Sequence, residues 1–208
     1  MRKNTIRYIV GIVEVGRGPI AGPVAVGACS VPADFDFSFC RGIRDSKKLT
    51  ARGREEWEKK IMYAQEEGKL LYAVAFVSSK AIDTKGLSYA IKKALATSLR
   101  KVTTDPKYTQ VLLDGGLKAP AEFIYQKTIV KGDEKEPVIS LASIVAKVTR
   151  DRHMVKLSKQ YPNYDFHVHK GYGTRAHYQK LKRYGLSPEH RRSFLKGLKD
   201  VDKSGYFN

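Results

Sequence analysis

The chain lacks any hydrophobic run long enough to cross a bilayer as a helix; its apolar segments are strand-sized. Near the start, Arg2, Lys3 and Arg7 flank only a short hydrophobic stretch, so no secretory leader is expected and a cytoplasmic location is. Cysteine is scarce. The two present, Cys29 and Cys40, form neither a metal-ligand spacing nor a disulfide framework, and read as a reduced buried thiol and a loop thiol. Internal repeats and low-complexity linkers are also missing, which at 208 residues leaves one well-buried domain, or a domain with a modest extension. The last shortage is of acidic residues. Only 21 Asp and Glu face 39 Lys and Arg, and the resulting +18 points to a polyanionic partner. Residues 142–208 hold 15 basic and 5 acidic side chains, against a net +8 over the preceding 141, so the C-terminal third is the favoured docking surface. Aromatic residues interleaved with those charges fit nucleic acid better than a merely solubilising surface.

What is present is organised around residues 11–23, Gly-Ile-Val-Glu-Val-Gly-Arg-Gly-Pro-Ile-Ala-Gly-Pro. Glu14 closes an apolar run from Tyr8 to Val15, where a charge is seldom buried unless paired or metal-bound. Gly16 and Gly18 lack a Cβ and let another backbone approach, while Arg17 between them offers a planar fork suited to phosphate. Together they read as a site for a nucleic-acid backbone.

Val/Ile-rich runs at 6–15 and 24–31 predict two neighbouring strands. A polar loop, 41–50, ends in Thr50 as a helix N-cap; Trp57, Ile61 and Ala64 then recur at helical spacing until Gly68. Residues 70–77 form the next strand, and Leu87, Ala90, Ile91, Ala94, Leu95, Leu99 and Val102 mark a second helix ended by Asp105-Pro106. Strands are predicted at 108–114 and 123–130. Leu141, Ile144, Val145, Val148 and Val155 give a long helix broken near Tyr161-Pro162, followed by a His/Gly/aromatic stretch at 164–174 and a basic helix at 175–184. A short helical piece then opens near residue 187, and the tail from Asp200 is expected to fray. Strands first, then alternating strands and helices, predict a mixed sheet with helices on both faces.

Three predicted strands end in, or are soon followed by, a carboxylate: Glu14, Asp114 and Asp133. In open α/β sheets the functional crevice lies outside the carboxyl ends of parallel strands, where these groups can converge. Clustered carboxylates repel unless a cation neutralises them, so in a basic chain they point to a hard divalent ion, Mg²⁺ or Mn²⁺.

These residues resemble the ribonuclease HII (type 2 ribonuclease H) family. The matching blocks are Glu14-Val15-Gly16-Arg17-Gly18-Pro19-Ile20-Ala21-Gly22-Pro23, Asp45-Ser46-Lys47-Lys48-Leu49-Thr50, Asp114-Gly115 and Lys131-Gly132-Asp133. Ala142-Ser143-Ile144-Val145-Ala146-Lys147-Val148 through Arg150-Asp151-Arg152 and Lys170-Gly171-Tyr172-Gly173-Thr174 with His177 complete the series, in the family's order from about residue 9 to about residue 194. The resemblance implies an α/β, RNase H-like fold: a five-stranded mixed sheet flanked by helices, with residues 1–160 as catalytic domain and 161–208 as a C-terminal helical substrate-binding segment packed on it. It implies an endonuclease that cleaves the RNA strand of RNA/DNA hybrids and nicks duplex DNA 5′ of an embedded ribonucleotide, using two divalent ions, Mg²⁺ or Mn²⁺. Such duplexes are the expected partners; no membrane is expected, and a monomer is.

Four carboxylates hold the ions in that family. Three map onto Glu14, Asp114 and Asp133, and the fourth onto Val13. Valine has no lone pair for a bridging role, so this chain is expected to bind substrate but hydrolyse it very poorly; the alternative is a catalytically silent protein that binds RNA/DNA junctions. Asp45 and Asp151 are the carboxylates considered for rescue, although Asp151 is better read as paired with a neighbouring basic group. By resemblance, Gly16, Arg17 and Gly18 reach the ribose 2′-hydroxyl and adjacent phosphate, glycine being needed at both places to let the nucleic acid in. Tyr172 stacks on the next deoxyribose, Lys47 holds a phosphate with help from Ser46, and Lys147 is a further substrate-binding candidate. His167 and His169 have no partner at zinc spacing, and His177 and His190 are expected to cap or pack the C-terminal helices.

Overall fold

The computed structural model describes residues 5–43, 49–103 and 105–195. Five strands form one sheet in the order β3-β2-β1-β4-β5: β1 (Tyr8–Val15), β2 (Val24–Pro32), β3 (Leu71–Val77), β4 (Thr109–Asp114) and β5 (Gln126–Ile129). The first three run antiparallel, whereas β1, β4 and β5 are parallel, so the sheet is mixed. Parallel pairing brings the C-terminal ends of β1 and β4 to one edge.

Seven α-helices are present among the described residues. Thr50 caps α1 (Ala51–Glu66), its hydroxyl accepting from the Gly53 amide at 3.1 Å. A short α2 (Ser79–Lys85), capped by Ser78, precedes α3 (Leu87–Val102). The helical periodicity of the sequence reads α3 but not α2, which is too short for its pattern to stand out. Strand β5 covers less than the predicted 123–130, because Phe123 closes a turn onto the Pro120 carbonyl and points into the core. Next come α4 (Gly132–Lys135), α5 (Pro137–Gln160), α6 (Phe166–His169) and α7 (Arg175–Tyr184).

Alternation along the strands divides the core between the two faces of the sheet. Val10, Ile12, Val111 and Leu113 pack beneath α3, while Val13, Cys29, Val31 and Leu112 pack beneath α5 and α1. Cys40 is buried as well, a correction to its reading as a loop thiol, and burial pushes its thiol up to about 11. A third cluster joins Ile20, Ala21, Met154 and Leu157 to Tyr164, Phe166, Leu181 and Leu195. The turn after β1 is therefore built into the same core as the C-terminal segment.

Helix α5 lies unusually close to the sheet. A Cβ at Gly11 would fall 2.3 Å from the Val138 carbonyl oxygen, and one at Gly27 2.7 Å from that of Ala142 and from the Ala146 Cβ. Two turns farther on, Arg150 and Met154 meet Gly16 and Gly22 in the same way. Val138, Ala142, Ala146, Arg150 and Met154 recur every four residues and form one helix stripe, seated throughout on glycine. Gly11→Ala should therefore lower stability by about 1–3 kcal/mol through overpacking. Urea unfolding monitored at Trp57 checks this, and an unchanged midpoint would contradict the close seating of α5.

Candidate active site

Ile12 pairs with Leu113 across the parallel β1 and β4 strands, so Val13 and Asp114 come next in line. Val13 lies on the α5 face with Leu112, and strand alternation puts Asp114 on that face too. Asp114 is fixed by its Oδ1, which accepts from the Gly132 amide at 2.8 Å. That contact docks α4 against the end of β4 and brings Asp133, the next residue, to the same edge. Asp133 is buried, and its carbonyl accepts from the Ser140 hydroxyl at 2.6 Å. Lys131 makes the bend into α4 with a left-handed backbone, φ 56°.

Glu14 reaches the same edge from the opposite face of β1, and its Oε1 accepts from Arg17 Nη1 at 3.3 Å. Among the described residues, no three Asp, Glu, His or Cys side chains are gathered closely enough to hold a metal ion. The three expected carboxylates thus share one end of the sheet without meeting at a point. Position 13, next in line with Asp114 on that edge, is filled by an isopropyl group 4% exposed. In kind, the donors suit a hard divalent ion. In number and placement they do not fit a pair of ions sharing a ligand at residue 13.

The turn from Gly16 to Pro23 is enclosed by two later segments. Ile20 and Ala21 amides donate to the Gly171 carbonyl at 2.9 and 3.2 Å, the Gly22 amide to Glu189 at 2.8 Å, and the Arg191 amide to Ile20 at 2.8 Å. Gly171, at φ +85°, is required here, since a Cβ on it would lie 2.3 Å from the Ala21 carbonyl oxygen. The result places Tyr172 beside Gly18, its Cε1 3.8 Å from where a Gly18 Cβ would be. Tyr172 is 46% exposed, a surface tip rather than a core aromatic. Arg17, Gly18 and Tyr172 therefore form one exposed face.

Gly16 has an interior role that corrects its sequence reading. At φ +82° it is buried, and a Cβ there would fall 2.1 Å from Arg150 Nε, so the protein itself demands glycine at this position whatever ligand approaches. Lys147 is already engaged, with Nζ 2.9 Å from Asp151 Oδ1. That pair also accounts for Asp151. Asp45, Ser46 and Lys47 lie outside the described residues.

Sequence reading missed the polar scaffold beneath this face, because buried arginine and histidine carry no periodic signal. His190 Nδ1 accepts from the Ser187 amide at 2.9 Å, which leaves its Nε2 as the donor to His177 Nε2 at 3.0 Å. His177 Nδ1 then donates to the Tyr172 carbonyl at 2.8 Å. His169 stacks on His177 at 4.0 Å, accepts from the Gly171 amide and donates to the Tyr164 carbonyl. Every ring nitrogen is used in the neutral form. Burial, with repulsion from neighbouring histidines, pushes His177 down to about 4 and His190 to about 3. His177 and His190 thus pack the C-terminal elements as expected, and carry the Tyr172 loop as well.

Comparison with known proteins gives a consistent result. Residues 10–197 match the family described as Ribonuclease HII. A ribonuclease HII of Bacillus cytotoxicus is 42% identical over 204 residues, 98% of this chain and 74% of that protein. One of Shouchella clausii is 42% identical over 193 residues, 92% and 70% of the two chains. Among solved structures, the ribonuclease H2 of Pyrococcus horikoshii OT3 superposes with a TM-score of 0.67 at 26% identity, over 89% of this chain and 93% of that one. The ribonuclease HII of Archaeoglobus fulgidus, solved in a complex with PCNA, shares the fold with a TM-score of 0.72 at 24% identity, covering 91% and 94%.

The histidine scaffold makes stability pH-dependent with a definite sign. Folded pKa values below the ordinary 6.5 mean that the unfolded chain binds protons the fold excludes, so this contribution is complete above pH 6.5 and is lost as pH falls toward 4. Thermal midpoints should drop across that window, and more steeply than in a His177→Gln variant, which has one fewer group to protonate. Parallel pH profiles for the two proteins would refute the assignment.

Proposed function

We propose that this chain, which belongs to the ribonuclease HII family, binds duplexes carrying ribonucleotides through the Arg17, Gly18 and Tyr172 face but is strongly impaired in hydrolysis by Val13. The family is one of endoribonucleases of the ribonuclease H type. The activity it implies is cleavage of the RNA strand of hybrids and nicking 5′ of a ribonucleotide embedded in DNA. One observation carries the impairment: residue 13 is next in line with Asp114, on the face it shares with Asp114, and it is a buried hydrocarbon.

The chain's own residues divide the work. Arg17 presents a solvent-facing guanidinium that pairs with Glu14 and is suited to a phosphate oxygen. Gly18 leaves its surface open, and Tyr172 offers an aromatic face for the neighbouring sugar. The Gly132 amide orients Asp114. Glu14, Asp114 and Asp133 are the groups that would hold Mg²⁺ or Mn²⁺, and such an ion supplies a polarised phosphate oxygen and a more acidic bound water. Without a carboxylate at position 13 the donor set falls short of two ions. Asp151 offers no replacement while Lys147 holds it.

Restoring the carboxylate tests this directly. Val13→Asp should raise the nicking rate on a duplex with one embedded ribonucleotide by on the order of 10³-fold in Mn²⁺ or Mg²⁺. In the absence of metal, the same variant should melt below the unmodified protein, because it adds a carboxylate to a buried acidic edge, and divalent ion should reverse the loss. Equal rates with and without the substitution would end the impairment reading. Preferential binding of the ribonucleotide duplex by the unmodified protein, with no product formed, is the outcome expected of the silent binder.

A further inference from the structure

Among the described residues, Arg150 and Arg191 are the largest side chains that are completely buried. A guanidinium so placed ordinarily meets a carboxylate. Among the described residues neither forms such an ion pair. Arg191 donates instead to three backbone carbonyls: from Nε to Gly22 at 2.9 Å, from Nη1 to Arg17 at 3.0 Å and from Nη2 to Gly16 at 2.7 Å. Arg150 donates from Nε to Pro23 and from Nη1 to Lys170, both at 3.1 Å, and its buried Nη2 has no hydrogen-bond partner among the described residues. All five acceptors belong to the two loops that carry Arg17, Gly18 and Tyr172.

The consequence follows from the planarity of the peptide. In a trans unit the C=O of one residue and the N–H of the next point in opposite directions. Drawing the Gly16 and Arg17 carbonyls inward therefore turns the Arg17 and Gly18 amides outward. Among the described residues neither amide has a hydrogen-bond acceptor, and both residues are exposed. Behind these two donors lie two buried positive charges, neither in direct ion pairing with a carboxylate among the described residues. Burial and repulsion from Arg150 push the Arg191 guanidinium down to about 10, so it stays charged at neutral pH.

We propose that Arg150 and Arg191 are positioning residues for substrate recognition, pinning both loops from behind so that the Arg17 and Gly18 amides form a prebuilt seat for the sugar–phosphate junction at the ribonucleotide. This rests on the reading that the ligand is a ribonucleotide-bearing duplex. The seat needs no rearrangement on binding, and the phosphate brings negative charge to the front of two buried guanidinium groups that donate to backbone carbonyls.

The test compares a duplex containing one ribonucleotide with the all-DNA duplex of the same sequence, by fluorescence anisotropy in chelator. Arg191→Lys keeps the charge but cannot hold three carbonyls. Its preference for the ribonucleotide duplex should fall by about tenfold or more, the worth of a hydrogen bond to a charged group, while all-DNA binding changes by less than about threefold. A general loss of structure would weaken both duplexes together. A folded Arg191→Lys that keeps its preference overturns the proposal. Should that variant not fold, hydrogen exchange in the unmodified protein decides. The Arg17 and Gly18 amides should exchange fast in the free protein and slowly in the complex, and amides protected when free, or unprotected when bound, refute the seat. An unmodified protein with no preference for the ribonucleotide defeats the reading of the ligand. Amide exchange with whichever duplex binds then still judges the seat.

Discussion

Much of this structure depends on how closely one helix lies on one sheet. Along α5, every fourth residue from Val138 to Met154 comes down on a glycine, first in β1 and β2 and then in the turn between them. Side chains on those strands would force the helix away from the sheet. At the helix's fourth contact the stripe changes from apolar to arginine, just where the sheet ends and the Gly16 turn begins. Close seating thus delivers a guanidinium beneath the turn, in the space a side chain on Gly16 would take.

The same contact joins distant parts of the chain. Arg150 bonds the end of the turn at Pro23 and the loop at Lys170, and Arg191 returns from the C-terminal segment to the carbonyls of Gly16, Arg17 and Gly22. Together with the shared core of Ile20, Ala21, Phe166 and Leu181, these bonds make the exposed face of Arg17, Gly18 and Tyr172 and the C-terminal segment parts of one packed structure. Three neutral histidines then fix the height of Tyr172 above Gly18. The carboxylates and the two loops are accordingly held by different means: strand pairing at a sheet edge for the first, and a buried polar scaffold for the second.

Much of the fold was legible because it rests on periodicity. The strands, the Thr50 cap and the stripe of α3 are local patterns of burial and capping that a sequence displays directly. Helix α2 and the shortened β5 were not, since each spans too few residues for a period to emerge. Glu14, Asp114 and Asp133 could be picked out as strand-end carboxylates, but their relation to one another could not. It took the pairing of β1 with β4 to show that residue 13, rather than residue 14, shares a face with Asp114.

The sequence by itself determined the family, the strand and helix order, the basic character of the surface and the presence of valine where a bridging carboxylate is expected, because each is a property of residue type and local spacing. Only the tertiary structure decided which groups are buried together. In the fold, Arg150 and Arg191 lose their solvent and have backbone carbonyls as their partners. Burial of that kind arises from contacts between segments more than 100 positions apart. No local pattern records it, since the free energy of a buried polar group is set by what surrounds it in space and not by its neighbours along the chain.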